Sequence, residues 1–325
     1  MRKFLRHRWI SKIRHEKLLK MPPNTKRYEG RTFRRRYVGA FLFLLASILI
    51  GLVASTDGPE PSVEAYYSSL ESRLGYWLLL GNVRHCGLYA KGQLSPFPIS
   101  KAQRAMENKL YRRLGLKPGK RVLDAGAGSG YVAMTMARRG LDVQAIDITP
   151  HHIADAKKNI EKYGLQDRIK VDYANYHNLS QFPDASFDGI YTMETFVHAD
   201  DPIRVLNNFK RLLKTGGVLV LHEAHISRDS GKLHDVLRLS HCQNTLPEGA
   251  YEELVKTAGF KDFSLEDLTD EVLPMWRLFG LLCYVPYQIF KLFGIQDRFI
   301  NVMAGADTWL NWGDRRYISV RAVKP

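Results

Sequence analysis

The sequence predicts an α/β protein with a doubly wound, mostly parallel sheet. Three observations support that class: short β-rich runs recur between residues 121 and 222, helical stretches separate them, and a glycine-rich turn follows the first run. Strands that alternate with helices of this length are typical of βαβ units with right-handed crossovers. The 325 residues suffice for one such domain with an added cap or lid.

The chain begins with a basic arm, residues 1–36. The arm contains 14 Lys and Arg against two Glu, whereas the rest of the chain contains 34 Lys and Arg against 31 Asp and Glu. The formal net charge of +15 therefore lies almost entirely in the arm. Because proteins that bind nucleic acid usually carry basic surface on the folded module, we expect no nucleic acid partner for the main domain.

An apolar segment follows at residues 37–54. Its 18 residues hold no charge and come directly after Arg34, Arg35 and Arg36. A helix of that length would span about 27 Å, close to the hydrocarbon core of a thin bilayer. We expect a transmembrane or membrane-anchoring helix, single-pass or monotopic, in the endoplasmic reticulum. The Arg-rich arm leaves the mitochondrial inner membrane as an alternative, and a buried core helix is another.

Residues 63–115 form an aromatic lead-in, which we expect to act as a substrate cap. The core, residues 116–226, holds five predicted strands, at 121–125, 142–148, 169–173, 187–193 and 218–222. Predicted helices at 131–139, 150–163 and 201–213 lie between them. This order predicts a parallel sheet covered on both faces.

Residues 227–325 are predicted to form a helical lid and a final strand. Two short helices, an apolar stretch and the strand are expected at 234–242, 250–258, 272–295 and 317–323. Two prolines and two cations interrupt the apolar stretch, so we expect a lid lying partly in the membrane interface rather than a second spanning helix.

The feature that indicates chemistry is the run VLDAGAGSGY at residues 122–131. Gly126, Gly128 and Gly130 let the backbone turn tightly and let a ligand approach, and the next helix offers its N-terminal N–H groups. A dinucleotide-binding turn would need a glycine at position 131, which is Tyr131. Asp124 can accept a hydrogen bond from the ammonium group of a bound amino acid, which favours S-adenosylmethionine.

A second carboxylate, Asp147, stands 21 positions after Gly126, at the end of the second predicted strand. A carboxylate there can hold both hydroxyls of a ribose. Three widely separated cysteines, Cys86, Cys242 and Cys283, indicate neither a disulfide framework nor a metal site.

Residues 66–226 resemble the class I S-adenosylmethionine-dependent methyltransferases and are most similar to the sterol C-methyltransferase family. Besides the glycine run, the resemblance is carried by the following residues: 75–77 (GYW), His85, 116–119 (LKPG), 182–188 (FPDASFD), Met193, Glu194, His198 and 212–217 (LLKTGG). It implies a Rossmann-like fold, S-adenosylmethionine as cofactor and a lipid acceptor. The implied cofactor-binding residues are Asp124, Gly126, Gly128, Gly130, Asp147, Ile148, Asn175, Tyr176 and Glu194.

One cofactor residue departs from the family pattern. The family usually has an Asp where this sequence has Asn175, followed by Tyr176. The amide oxygen of Asn175 can still accept a hydrogen bond from the adenine amino group, so we expect binding to be retained.

Glu194 and His198 are the predicted catalytic residues. They lie four apart beyond the fourth predicted strand, where parallel sheets bind their ligands. Glu194 is predicted to act as a base or cation stabiliser, with His222 and Glu223 as alternatives. His198 has a capping or loop role as its alternative. The acceptor pocket is predicted to contain Tyr66, Trp77, His85 and Tyr89.

The predicted function is methyl transfer to a sterol, a terpenoid or another lipid, at carbon. One alternative is C- or O-methylation of a prenylated quinone or phenol, and another is a membrane adaptor that keeps the fold without catalysis. Either enzyme would have an isoprenoid or lipid substrate and a membrane as partners.

Overall fold

The computed structural model describes residues 62–226, 234–242, 246 and 249–325. The strands are β1 (Arg121–Ala125), β2 (Asp142–Asp147), β3 (Ile169–Tyr173), β4 (Phe187–Met193), β5 (Leu213–Ile226), β6 (Lys261–Asp267) and β7 (Arg315–Val323). The helices are α1 (Val63–Ser68), α2 (Leu70–Leu80), α3 (Ile99–Leu114), α4 (Tyr131–Arg138), α5 (Pro150–Lys162), α6 (Pro202–Leu212), α7 (His234–Leu239), α8 (Ala250–Thr257), α9 (Thr269–Leu292) and α10 (Ile300–Leu310). The basic arm and the apolar segment 37–54 lie outside the described residues. Among the helices within them, none is long and apolar enough to cross a membrane.

The seven strands form one mixed sheet in the order β3-β2-β1-β4-β5-β7-β6. The first five pair in parallel, as predicted, and β7 is antiparallel to both of its neighbours. The sequence analysis did not predict β6. It also predicted β5 too short, because this strand continues beyond β4 to pair with β7 as far as Ile226.

Both faces of the central strands β1 and β4 are buried, which is why these strands are mostly apolar. On one face, Met106 of α3 and Met134 of α4 belong to a single core with Val122 and Val143. On the other face, Phe209 of α6 packs with Leu123 and Phe187. The doubly wound class is therefore confirmed, and the carboxyl ends of β1, β2 and β4 meet at one edge.

The N-terminal and C-terminal helices join above that edge. Oε1 of Glu71, on α2, accepts hydrogen bonds from the backbone N–H groups of Asn301 (2.9 Å) and Val302 (3.2 Å) at the start of α10. The Tyr66 hydroxyl donates to Oδ1 of Asn301 at 2.6 Å. Glu71 thus satisfies orphan donors of the first turn of α10, and the predicted cap and lid form one layer. The predicted boundaries of the cap and the lid stay an interpretation.

Candidate active site

The glycine loop between β1 and α4 builds the first part of the site. Gly126 and Gly130 have φ of 95° and 80°, and a Cβ at these positions would lie 2.5 Å from Cγ2 of Thr195 and 3.1 Å from Cβ of Ala156, respectively. Gly128 has φ 52°, and a Cβ there would have only Cδ of Arg84, at 3.9 Å, within reach. The two outer glycines therefore allow close packing, and the middle one leaves an open cradle.

Asp147 ends β2 and holds this loop in place. Its Oδ2 accepts from the Gly128 N–H at 2.8 Å, and its Oδ1 accepts from the Thr149 N–H at 2.8 Å and lies 3.2 Å from Nδ1 of His152. Burial opposes ionisation of Asp147, but His152 and these N–H groups hold its pKa below the usual value. Its oxygens have further lone pairs, and the residue lines the cleft beside the glycine loop, where ribose hydroxyls would bind.

Asp124 lies beneath the loop rather than on the wall of the cleft. Its side chain is buried, and Oδ2 finds no hydrogen-bond partner among the described residues. Burial raises the pKa of Asp124 to about 7. Asp124 therefore does not line the cleft where a direct contact with an ammonium group was expected, and its role in cofactor binding stays a prediction.

Ile148, Asn175 and Tyr176 line the part of the cleft where the adenine ring is expected to bind. Oδ1 of Asn175 already accepts from the backbone N–H of His177 at 2.9 Å and lies 2.9 Å from its Nδ1. The oxygen that we expected to accept from adenine is thus engaged within its own turn. The Tyr176 hydroxyl donates to the carbonyl oxygen of Thr195 at 3.0 Å, which fixes the ring beside the cleft.

A large apolar chamber adjoins the cleft. Its volume is about 490 Å³, and Arg84, His85 and Glu194 line both spaces. Most of its wall is apolar and comes from α2, α9 and α10, as shown by Tyr76, Leu79, Trp276, Phe279, Leu282 and Ala304. A ligand bound in the cleft would therefore face a mostly apolar compartment across three polar side chains.

Glu194 lies where the two spaces meet. Its φ of 57° is left-handed, which is uncommon for a residue with a side chain and is often found at functional sites. Oε1 accepts from the Cys86 N–H at 2.6 Å and from the Tyr317 hydroxyl at 2.8 Å. Burial raises the pKa of Glu194 above its usual value. The residue is therefore well placed for either role predicted for it, and neither role is tested by the geometry.

Two of the four predicted acceptor residues line the chamber. His85 is buried, with Nδ1 2.9 Å from the Cys86 carbonyl oxygen and Nε2 3.5 Å from Oε1 of Glu107. Burial opposes protonation of His85, but Glu107 raises its pKa above the usual value. The second residue is Tyr66, whose hydroxyl is held by Asn301.

The other two do not reach the chamber. Trp77 is 63% exposed, because adjacent residues on a helix point about 100° apart and its neighbour Tyr76 takes the inward position. Tyr89 is buried in the core instead, with its hydroxyl donating to the Pro96 carbonyl oxygen at 3.0 Å. The sequence analysis was wrong to place Trp77 and Tyr89 in the pocket, and it missed Tyr76.

His198 contacts a residue that the sequence analysis did not single out as functional. Its Nδ1 lies 3.6 Å from Sγ of Cys242 and 3.1 Å from the His241 carbonyl oxygen, and its Nε2 lies 3.0 Å from the Tyr67 hydroxyl. Burial opposes protonation, but Cys242 raises the pKa of His198 to about 9. In return, His198 lowers the pKa of Cys242 despite burial. No signal links two residues 44 positions apart, so only the fold could reveal this pair.

The alternative bases are not on the chamber wall. Glu223 accepts from the Thr192 hydroxyl at 2.6 Å and from the Phe196 N–H at 3.1 Å, so it holds the turn after β4. His222 is fully buried, and burial lowers its pKa to about 3. Glu223 and His222 therefore stabilise the protein beneath the site and do not line the chamber.

The glycine loop, the Asp147 carboxylate beside it and the adjoining chamber form the arrangement expected of an S-adenosylmethionine-dependent methyltransferase. A family model described as a methyltransferase domain matches residues 123–221. That range covers the core strands β1, β2, β3 and β4 with most of β5. The match supports S-adenosylmethionine as the cofactor.

Curated relatives extend the match. The S-adenosyl-L-methionine-dependent Diels-Alderase iccD of Talaromyces variabilis is 34% identical over 284 residues, which cover 83% of this chain and 97% of that protein. The S-adenosyl-L-methionine-dependent Diels-Alderase iliD of Neonectria sp. is 35% identical over 237 residues, covering 68% and 92%. The sterol 24-C-methyltransferase ERG6B of Gibberella zeae is 35% identical over 118 residues, covering 36% and 31%. The chain belongs to the S-adenosylmethionine-dependent methyltransferase family, which confirms the predicted enzyme class.

Solved structures repeat the fold. The (4+2)-cyclase SpnF has a TM-score of 0.65 at 21% identity, covering 84% of this chain and 99% of that chain. Geranyl diphosphate methyltransferase, in complex with GPP and sinefungin, has a TM-score of 0.63 at 19% identity, covering 81% and 98%. Identities this low show a shared fold alone.

Proposed function

We propose that this enzyme binds S-adenosylmethionine in the cleft, folds an apolar polyene in the chamber and accelerates a Diels-Alder cycloaddition of that polyene. The observation that carries the proposal is the apolar chamber of about 490 Å³, which meets the cleft at Arg84, His85 and Glu194. A compartment of this kind suits a flexible, mostly hydrocarbon substrate.

The extent of the matches favours cycloaddition over methyl transfer. The cap and the C-terminal helices form most of the chamber wall, so they select the acceptor. The two Diels-Alderases are 34% and 35% identical over 83% and 68% of this chain. The (+)-O-methylkolavelool synthase of Herpetosiphon aurantiacus covers 67% of the chain at a lower identity of 27%, and the sterol methyltransferase covers 36%. A match of 118 residues is about the size of the cofactor-binding core alone.

A cycloaddition demands little chemistry from side chains. No leaving group departs and no proton moves, so rate acceleration comes from holding the two π systems about 3–3.5 Å apart in the reactive conformation. Tyr66, Tyr76, Trp276 and Phe279 present large, rigid surfaces to the chamber. We infer that these walls select the folded conformer of the polyene and exclude water.

Arg84 is positioned to polarise a substrate carbonyl group. Its Nη1 donates to Oγ of Ser129 at 2.7 Å, and its guanidinium lies 5.2 Å from the centroid of the Tyr76 ring. Among the described residues, Nε has no hydrogen-bond partner and no ion pair includes Arg84. A fixed cation beside an alkene–carbonyl system lowers the barrier to cycloaddition electrostatically. When bound, S-adenosylmethionine supplies a further positive charge or a transferable methyl group.

The second candidate is methyl transfer to carbon of a sterol, a terpenoid or another lipid, or to a prenylated quinone or phenol. The observation that favours it is Glu194, a buried carboxyl group of raised pKa between the cleft and the chamber. Methylation of an alkene leaves a carbocation, which aromatic faces stabilise until a base removes a proton. Tyr66 and Tyr76 offer those faces.

Mass spectrometry with methyl-labelled S-adenosylmethionine separates the two reactions. The full-length protein is incubated with a linear triene that carries an activated alkene, and separately with geranyl diphosphate. We expect an isomer of the triene with unchanged mass, formed only when S-adenosylmethionine is present and without release of S-adenosylhomocysteine. A labelled methyl group in the product, with an equal amount of S-adenosylhomocysteine, would establish methyl transfer and refute the cyclisation.

We also propose that residues 37–54 anchor the enzyme in a membrane, with the endoplasmic reticulum as the first expectation. The support is the charge-free run of 18 residues after three arginines. An apolar substrate dissolved in that membrane would then be close to the enzyme. Recovery of the full-length protein in the pellet after alkaline carbonate extraction of microsomes tests the anchoring.

A further inference from the structure

Helix α9 has an exposed apolar face. Leu281, Val285, Ile289 and Leu292 recur at helical spacing, and they are 76%, 61%, 42% and 82% exposed. Phe293, directly after the helix, is 69% exposed. Contiguous apolar surface of this kind usually marks a binding site for a protein or a membrane.

The charges of the helix suit a lipid surface. Between residues 276 and 293 the only charged residues are Arg277 and Lys291, and both are cations. The two acidic residues of α9, Asp270 and Glu271, lie in its first turn, before this stretch. A helix with an apolar face, cations along it and too little hydrophobicity to span a bilayer is typical of one that lies in the membrane interface. Anionic headgroups would attract it at close range.

The same helix forms part of the chamber wall. Leu282, Cys283 and Pro286 line the chamber, while Leu281 and Val285 lie on the exposed face. Trp309 of α10 packs beside Gly280 and is 43% exposed, so it extends the apolar face at that end. Tryptophan is enriched at the boundary between headgroups and acyl chains.

The N-terminal apolar segment, residues 37–54, is joined to α1 by a short stretch of chain. Seven residues, 55–61, separate the segment from Ser62, so this connection reaches at most about 28 Å when fully extended. Tyr66 of α1 is hydrogen-bonded to Asn301, and the short connection 294–299 separates α10 from Phe293. A bilayer that holds residues 37–54 is therefore within reach of the C-terminal end of α9.

We propose that the outer face of α9 rests in the interface of the phospholipid bilayer into which residues 37–54 insert, so that only this helix and α10 separate the chamber from the lipid. The inference rests on the anchoring proposed above and extends it with a second contact. A bilayer suits this face better than a protein partner, because the cations flank the apolar stripe and no acidic residue interrupts it.

Photo-labelling from the acyl chains tests the contact. The full-length protein is placed in vesicles of phosphatidylcholine and phosphatidylserine with a phospholipid that carries a diazirine in its acyl chain, and labelled peptides are mapped by mass spectrometry. We expect label in the peptide that contains 281–293 as well as in the peptide that contains 37–54. The double variant Leu281→Glu, Leu292→Glu should reduce the α9 label roughly tenfold or more, because each substitution replaces an apolar side chain that the lipid would bury with a charged one.

The control is Leu94→Glu, since Leu94 is 76% exposed like Leu281 but lies outside α9. This variant should leave both labels unchanged, and all variants should bind S-adenosylmethionine equally. Label at 37–54 without label at α9 overturns the proposal but keeps the anchoring. Unchanged α9 label in the double variant would also overturn it, because the label would then not depend on contact between this face and the lipid.

Discussion

The cofactor cleft and the chamber contrast in how the chain builds them. The cleft takes its glycine loop, Asp147, Ile148, Asn175 and Tyr176 from the stretch 126–176, where consecutive strands end at one edge of the sheet. The chamber takes its wall from α2, Glu194, α9 and α10, which are separated by up to about 230 residues of sequence. Local turns define the first site, and only packing between distant helices defines the second.

This difference explains why the sequence specifies the cofactor more closely than the acceptor. Backbone conformation dominates the cleft, so a short run of glycines is enough to specify a nucleotide-like ligand. Side-chain shape dominates the chamber, so its specificity depends on which residues the helices turn inward. Substitutions should therefore act on the cofactor and on the acceptor separately.

The largest effect is expected for Gly126→Ala. The added Cβ would lie 2.5 Å from Thr195 at a φ of 95°. Overpacking and backbone strain together should weaken S-adenosylmethionine binding by about 100-fold or more, as measured by calorimetry. Gly164→Ala is the matched control, because Gly164 also has positive φ, 64°, but a Cβ added there would meet no atom within 4 Å. Equal S-adenosylmethionine binding by both variants would contradict the role assigned to Gly126 in the cofactor cleft.

Cys242 should react faster than the other cysteines. Because His198 lowers the pKa of Cys242, its iodoacetamide alkylation at pH 7 should be roughly tenfold faster than that of Cys283, whose pKa burial raises to about 12. His198→Gln should remove most of that difference. Peptide mass spectrometry over a pH series measures it, and equal rates for both cysteines would show that the pair carries no ionised thiol.

Two neighbouring aromatic residues test the acceptor side. Tyr76→Ala should weaken acceptor binding roughly tenfold through lost apolar contact in the chamber. Trp77→Ala should leave acceptor binding within about twofold, because Trp77 faces outward. Neither change should alter cofactor affinity. Steady-state kinetics with a substrate found by the mass-spectrometry experiment measure both effects. A larger effect of Trp77→Ala than of Tyr76→Ala would contradict the placement of Tyr76 on the chamber wall.

Glu71→Ala should destabilise the junction between the cap and α10 by about 1 kcal/mol, because it removes an N-terminal capping partner. Burial raises the pKa of Glu71 to about 7 from 4.5. Its contribution to stability is therefore full below pH 4.5 and is lost as the pH rises through 7. Thermal unfolding over that pH range measures both effects. Glu64→Ala, at an exposed position on α1, should change neither.

The smallest effect is expected for Glu194→Gln. A cycloaddition needs no base, so turnover should stay within about threefold while cofactor binding is unchanged. The amide oxygen can still accept from the Cys86 N–H and the Tyr317 hydroxyl. Abolished turnover with intact cofactor binding would instead favour the methyl-transfer candidate, in which Glu194 removes a proton.

Much of the fold could be predicted, and the exceptions have a common cause. The bounds of β1, β3 and β4 agree with the prediction to the residue, because apolar runs between turn residues mark buried strands well. Strand β6 was missed because it is an edge strand with no fully buried residue and no continuous apolar run. Its pairing with β7 across about 50 residues of sequence decided its conformation.

The site divides in the same way. The expected cofactor residues line the cleft except Asp124 and Gly130, which lie beneath or behind it. Of the four residues predicted for the acceptor pocket, Tyr66 and His85 line the chamber, and Trp77 and Tyr89 do not. A helix presents each residue about 100° from the next, so the direction of Trp77 could not be judged before the packing of α2 was known.

By itself the sequence determined the fold class, the cofactor and the position of the glycine loop, because these depend on local backbone preferences and on the period of apolar residues. Tertiary structure alone decided the chamber, the pair of His198 and Cys242, and the outward face of α9. Each of those needs helices from distant parts of the chain to meet, and no local pattern specifies which of their faces turn towards one another.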